Sequence, residues 1–202
     1  MKKAITHLKA ADSVLAGIIE AVGPYGATYR EPDFTALVRS IVFQQLHGKA
    51  ASTIYGRLEK AVARAGKLSP RAILKLEVEE LRAFGLSQGK AKYVLDLAAK
   101  TASKEVDFKK LPELSDSDVI AHLTQVKGVG VWTVHMFLMF ALQRPDVLPT
   151  GDLGIRAAMK KAYGLAELPK PAEMEDIARG WRPYCSVASW YLWRSLDGAG
   201  DV

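Results

Sequence analysis

A chain of 202 residues, 49% hydrophobic and 25% charged, has the makeup of one folded domain or of two small lobes sharing a core, which excludes a disordered polymer. Its formal charge of +6 fits a solvated basic surface or a polyanionic partner, nucleic acid first. One cysteine, Cys185, excludes an internal disulfide and a cysteine-ligated cluster, and the four histidines lack metal-ligand spacing. No apolar run reaches the ~18 residues that span a bilayer. Asp12 interrupts the apolar stretch that follows the first lysines, and no small-residue cleavage site comes after it, so we expect no signal peptide and a cytoplasmic protein.

The apolar spacing is helical almost throughout. Asp12 predicts the cap of a helix running to about Val22, and Asp33 the cap of one running to about Leu46, with Phe34, Leu37, Val38, Ile41 and Val42 on one face. A helix over 49–65 carries Ala50, Ile54, Leu58 and Val62 as its stripe. Ser69 before Pro70 is a cap followed by proline at the first helical position. A short helix over 77–84 stops at Gly85, and Ser87 opens another to about Thr101. Further helices are predicted over 116–124, 130–142, 152–163, 173–179 and 184–196. No stretch alternates as a strand flanked by hairpin turns does. The fold expected is therefore all-α, with about ten short helices. It forms one domain over 1–202, with lobes near 30–114 and 115–202 plus the N-terminal helix, and the polar stretch 101–114 links them. Residues 81–94 and 123–136 each read as helix, glycine turn and helix, a likeness too slight to be a repeat.

The segment LTQVKGVGVWTVHMFLMFAL (123–142) is the most informative. Gly128 and Gly130, one residue apart, allow positive φ and close approach of another backbone. The amides that open the following helix are unpaired donors, and the helix dipole favours an anion there. A phosphate held in this way positions a protein on a duplex without reading its sequence. Taken alone, the pattern is more often simply a tight interhelical turn. The helix after it is apolar on nearly every side, from Val131 to Leu142, and belongs in the middle of a domain.

That helix is about 18 Å long, and residues 144–151 can reach back up to roughly 26 Å. Asp152 can thus return to the hairpin end, where a carboxylate beside a phosphodiester is unfavourable unless it has a task. Asp152 before LGIRAAMKK is also a good helix cap. The two roles are compatible, because amide donors favour the charged carboxylate, the form that stabilises positive charge or activates water.

Three blocks carry a resemblance that covers about residues 30–197. They are IVFQQLHGKAAS (41–52), the hairpin with GDLGIR (151–156), and WRPYCSVASWYLWRSL (181–196). The chain resembles the helix-hairpin-helix DNA-repair glycosylases, and within them the 3-methyladenine DNA glycosylase II family. The resemblance implies a helix-hairpin-helix fold with the active-site cleft between two lobes, and damaged double-stranded DNA as partner. It further implies a monomer, no membrane and no cofactor. The reaction would be hydrolysis of the N-glycosidic bond of an alkylated purine such as 3-methyladenine or 7-methylguanine, after the base leaves the stack. A helix-hairpin-helix module that binds DNA without chemistry is the alternative.

By the same resemblance, Asp152 matches the catalytic aspartate, and Trp132 and Trp193 match pocket aromatics able to stack on a cationic base. Core packing is the other role open to those tryptophans. Met136 stands where some relatives have tyrosine, which makes the pocket less polar. Gln44, Gln45, Leu46 and His47 match a turn that enters the minor groove, with Gln45 aligned to the side chain that fills the vacated space; a plain interhelical loop is the alternative. His47 replaces the family's serine, and Cys185 stands where arginine is usual, losing a salt bridge or phosphate contact. Lys127, Gly128, Val129, Gly130 and Thr133 would meet the DNA backbone, while Lys49, Lys90 and Lys92 are phosphate contacts or merely solvated. The carbonyls of Thr124, Val126 and Val129 match a site for a monovalent cation, Na+ or K+. Bifunctional relatives carry a Schiff-base lysine two residues after the second hairpin glycine. Here that residue is Trp132, which implies no β-lyase activity.

Overall fold

The computed structural model describes residues 1–46, 48–63 and 68–197. Twelve α-helices and no strand occur among them. In chain order these are α1 (Lys2–Ala11), α2 (Ser13–Val22), α3 (Phe34–Phe43), α4 (Gly48–Ala63), α5 (Pro70–Ile73) and α6 (Val78–Ala83). The remainder are α7 (Gln88–Ala102), α8 (Asp116–Leu123), α9 (Val131–Phe140), α10 (Leu153–Tyr163), α11 (Pro171–Ala178) and α12 (Cys185–Asp197).

The starts of these helices follow the local signals. Asp12, Asp33, Ser69, Ser87, Ser115 and Asp152 each sit at an N-cap and accept an amide proton from the first turn, satisfying a donor that the helix cannot pair internally. One helix was not signalled: α1 buries Leu8 and Ala4 and ends at Asp12, the residue that caps α2. α3 stops at Phe43, three residues short of the expected end, because Gln44 turns out of the helix and Gln45 takes a positive φ of 55°.

The chain divides into two compact units, one of Arg30–Leu142 and one that joins Met1–Tyr29 to the residues from Gln143 onward. This differs from the expected boundary near 114. α9 packs on α3 and α8, which draws the whole hairpin into the middle unit. The stretch 101–114 is not a link between lobes. Val106 and Leu111 in it are buried, and Phe108 lies 6.0 Å from the Phe137 ring of α9.

In the unit of the chain ends, α12 packs against α2, α10 and α1. Its core gathers Leu8, Leu15, Ile19, Ile155, Met159, Met174, Trp181, Tyr191 and Leu192. Asp12 ties the chain's two ends together here. Its carboxylate accepts the Leu15 amide at 2.9 Å, the Tyr163 hydroxyl at 2.6 Å and the Trp181 indole N–H at 2.8 Å. Partial burial alone would raise the Asp12 pKa, but these donors outweigh it and hold the carboxyl below its ordinary value.

Candidate functional site

In the middle unit, Val126-Lys127-Gly128-Val129-Gly130 forms the predicted turn between α8 and α9. The two glycines differ in their reason for being there. Gly128 has φ +74°, and a Cβ on it would overlap the Tyr93 ring of α7. Gly130, expected to share that freedom, has φ −94°, and a Cβ there would enter open space. Gly128 is thus required by the protein's own packing, whereas Gly130 leaves room for something outside it. Gly130 is also the N-cap of α9 and offers no side chain to its first-turn amides. α7 braces the turn twice more: Asp96 accepts the Lys127 amide at 2.9 Å and lies 3.9 Å from the Lys127 ammonium. The Val129 and Thr133 side chains, both offered to DNA by the resemblance, are buried. Lys127, Gly128 and Gly130 are exposed.

The turn after α3 belongs to the same unit. Gln45 and Leu46 are exposed, while His47 lies outside the described residues. Gln44 faces inward: its side-chain amide donates to the Gly128 carbonyl at 2.9 Å and to the Thr133 hydroxyl at 3.0 Å. Lys90, a candidate phosphate contact, donates instead to the carbonyls of Val42 and Gln44 at 2.7 and 2.5 Å. Lys49 and Lys92 are exposed. Trp132, at 40% exposure, does not fill a core, and Met136 one turn on is half-buried.

Asp152 lies in the other unit. Its backbone is extended and its side chain caps α10. Oδ1 accepts the Ile155 amide at 2.8 Å and the indole N–H of Trp193 on α12 at 2.9 Å. The residue is 8% exposed, so a buried carboxylate is held by two donors from different helices. The strap before it is pinned to α12 by Ser186, whose hydroxyl donates to the Arg144 carbonyl at 2.6 Å and accepts the Val147 amide at 3.0 Å. Gly154 completes the arrangement. A Cβ on it would lie 3.1 Å from Asp152 Oδ1 and 3.2 Å from Trp193 Cδ1. Ser186 and Gly154 stand inside the motif blocks but carry no signal of their own in the sequence. Tyr93 and Asp96 likewise have no local signal that ties them to the hairpin.

Cys185 is fully buried, and burial together with the nearby Asp146 carboxylate pushes its thiol up, away from nucleophilic use. Its amide donates to Asp146, and Arg182 from the same block binds both Asp146 and Glu175, at 3.0 and 2.6 Å. The block therefore keeps a guanidinium–carboxylate network without an arginine at 185. No cluster of three or more histidine, cysteine or acidic side chains that could hold a metal occurs among the described residues. The carbonyls of Thr124, Val126 and Val129 are hard neutral donors that suit a monovalent cation. That of Val126 already accepts the Val129 amide at 3.0 Å and has one lone pair left.

Residues 38–183 match the family described as HhH-GPD superfamily base excision DNA repair protein. The chain is 34% identical over 201 residues to DNA-3-methyladenine glycosylase 1 of Schizosaccharomyces pombe, covering 96% of this chain and 87% of that one. Among solved structures it resembles the S. pombe 3-methyladenine DNA glycosylase in complex with abasic DNA, with TM-score 0.84, 34% identity and 95% of both chains covered. It also resembles the DNA-3-methyladenine glycosidase of Bacillus halodurans, with TM-score 0.81, 38% identity, and 98% and 89% of the two chains covered. The hairpin and Asp152 fall inside the matched region, and Trp193 lies just beyond it. The chain belongs to the HhH-GPD superfamily of base excision DNA repair proteins.

Proposed function

We propose that this chain is a monofunctional, monomeric DNA glycosylase that removes alkylated purines, such as 3-methyladenine and 7-methylguanine, from duplex DNA by hydrolysis. The observation that carries this reading is the buried Asp152 carboxylate, held by both the Ile155 amide and the Trp193 indole. A helix cap needs the first donor and has no use for the second.

N-Alkylation places positive charge on the purine. When the N-glycosidic bond breaks, its electron pair goes to the base, which leaves neutral, and the positive charge moves to an oxocarbenium-like sugar. Asp152 offsets that charge and accepts the proton of the water that adds to the sugar carbon. Trp132 and Met136 in one unit, and Trp193 in the other, are each of the aromatic or polarisable kind that a cationic base favours. The hairpin amides and Lys127 grip phosphate. A monovalent cation at the hairpin carbonyls would add positive charge beside the phosphate, and no step depends on it.

The test is release of free base from dimethyl-sulfate-treated duplex, by wild type and Asp152→Asn together. Release by wild type alone supports the reading. Release by neither, with DNA binding kept by both, sinks it in favour of a non-catalytic binding module. With Trp132 two residues beyond Gly130, no amine stands where the lyases of the superfamily place one. Borohydride reduction on damaged DNA should therefore trap no covalent complex; a trapped adduct would reverse the assignment.

A further inference from the structure

Lys90 is an unusual lysine for a protein expected to bind DNA. Its ammonium is turned inward, and burial lowers its pKa. What it holds explains the arrangement. α3 ends at Phe43, and the chain then passes over a recess of about 210 Å³ lined in part by Val42, Gln45, Leu46, Ile54, Leu86 and Lys90. The turn's own backbone bonds are long, with the Gln44 amide to Ile41 and the Leu46 amide to Phe43 both at 3.3 Å. Gln45 sits at positive φ with no glycine to make that cheap. The shorter bonds are those of Lys90 to the Val42 and Gln44 carbonyls, at 2.7 and 2.5 Å. From the same turn, the Gln44 amide reaches across 84 residues to the carbonyl of Gly128 in the hairpin, and across 89 to the Thr133 hydroxyl in α9.

We propose that Gln44 and Lys90 are positioning residues, Gln44 tying the exposed Gln45–Leu46 turn to the phosphate-gripping hairpin and Lys90 tying it to α7, which braces the same hairpin through Asp96, so that seating the hairpin on the backbone sets how far the turn enters the stack. The proposal rests on the reading of the protein as a base-extruding DNA enzyme. Unstacking a base from a stable pair costs a few kcal/mol, and a wedge that yields under load cannot supply it. A lesion already mispaired or unpaired makes a smaller demand on the same wedge. Loss of the coupling therefore harms well-paired lesions selectively, whereas a general loss of fold harms both alike.

Gln44→Ala and Lys90→Met remove the coupling, and Lys90→Arg retains a donor for both carbonyls. The first readout needs no catalysis: fluorescence of 2-aminopurine beside a tetrahydrofuran site in duplex DNA, at saturating protein. Wild type and Lys90→Arg should raise it through insertion. The two coupling variants should bind within about threefold of wild type yet give less than about half the rise. The second readout is base release, expected to fall about tenfold for a paired 7-methylguanine and less than about threefold for one in a mismatch. If Lys90→Met fails to fold, Gln44→Ala, whose loss leaves the Lys90 bonds in place, carries both readouts. Wild-type fluorescence in both variants, no rise with wild type, or equal loss on paired and mismatched substrates overturns the coupling. Fluorescence that behaves as expected while no protein releases any base leaves the coupling standing and removes the glycosylase reading.

Discussion

α9 and α10 begin in opposite ways. The start of α9 is Gly130, which brings no side chain to the helix's first amides and faces open space. The start of α10 is Asp152, whose own carboxylate meets the first-turn amides and is buried with an indole donor on it. Both carry the same partial positive charge of a helix N-terminus. One has no side chain of its own cap to meet that charge; the other meets it with a charge of the chain's own. A helix start offers a different chemistry according to what occupies its cap, and this molecule has one start without a side chain at its cap and one filled by a buried carboxylate.

The largest expected effect tests the filled start. Asparagine caps a helix about as well as aspartate, so Asp152→Asn keeps α10 and removes only the charge. Base release should fall on the order of 10²–10⁴-fold with duplex affinity nearly unchanged. Loss of the fold instead, seen as a collapsed thermal transition, would mean that Asp152 serves structure first.

The next effect separates the two glycines of the open start. Gly128→Ala forces a methyl into Tyr93 at positive φ, and should cost about 2–4 kcal/mol in urea unfolding. Gly130→Ala meets no neighbour, and should cost less than about 1 kcal/mol while weakening duplex binding about tenfold. The reverse ranking would break the assignment of Gly130 to an outside partner.

Asp12 gives a third measure, confined to the unit that holds Asp152. Its folded pKa lies below the ordinary 3.8, so its stabilisation is complete above that value and is lost as pH falls through the folded pKa. Asp12→Asn should lower stability at neutral pH by about 1–3 kcal/mol and flatten the acid limb of the stability curve. An unchanged acid limb would remove Asp12 from that role.

Smaller effects sharpen the contrast. Gly154→Ala adds a better helix former but presses on Asp152 and Trp193, so stability should hold while turnover drops several-fold in steady-state kinetics. Lys127→Ala should lower the salt slope of duplex binding by about 1 and leave single-turnover base release intact.

Much of this was legible in the chain because it depends on neighbours in sequence. Caps at Asp12, Asp33, Ser87 and Asp152, the glycine turn and the apolar stripe of α3 are i to i+3 or i+4 relations, and each residue carries its own signal. The same locality placed Asp152 at a helix start. Partners remote in sequence were decided by tertiary structure. The resemblance puts Gln44 in a turn that enters the minor groove, and Lys90 reads as a phosphate contact or a solvated lysine, because an ammonium suits phosphate as well as carbonyl. The packing of α3, α7 and α9 turned both inward. Packing likewise set Tyr93 over Gly128 and Trp193 on Asp152, and moved the boundary between the two units from 114 to 142. A side chain's chemistry limits what it can bind; which of many equivalent partners it meets depends on how helices distant in sequence pack, and spacing along the chain does not encode that geometry.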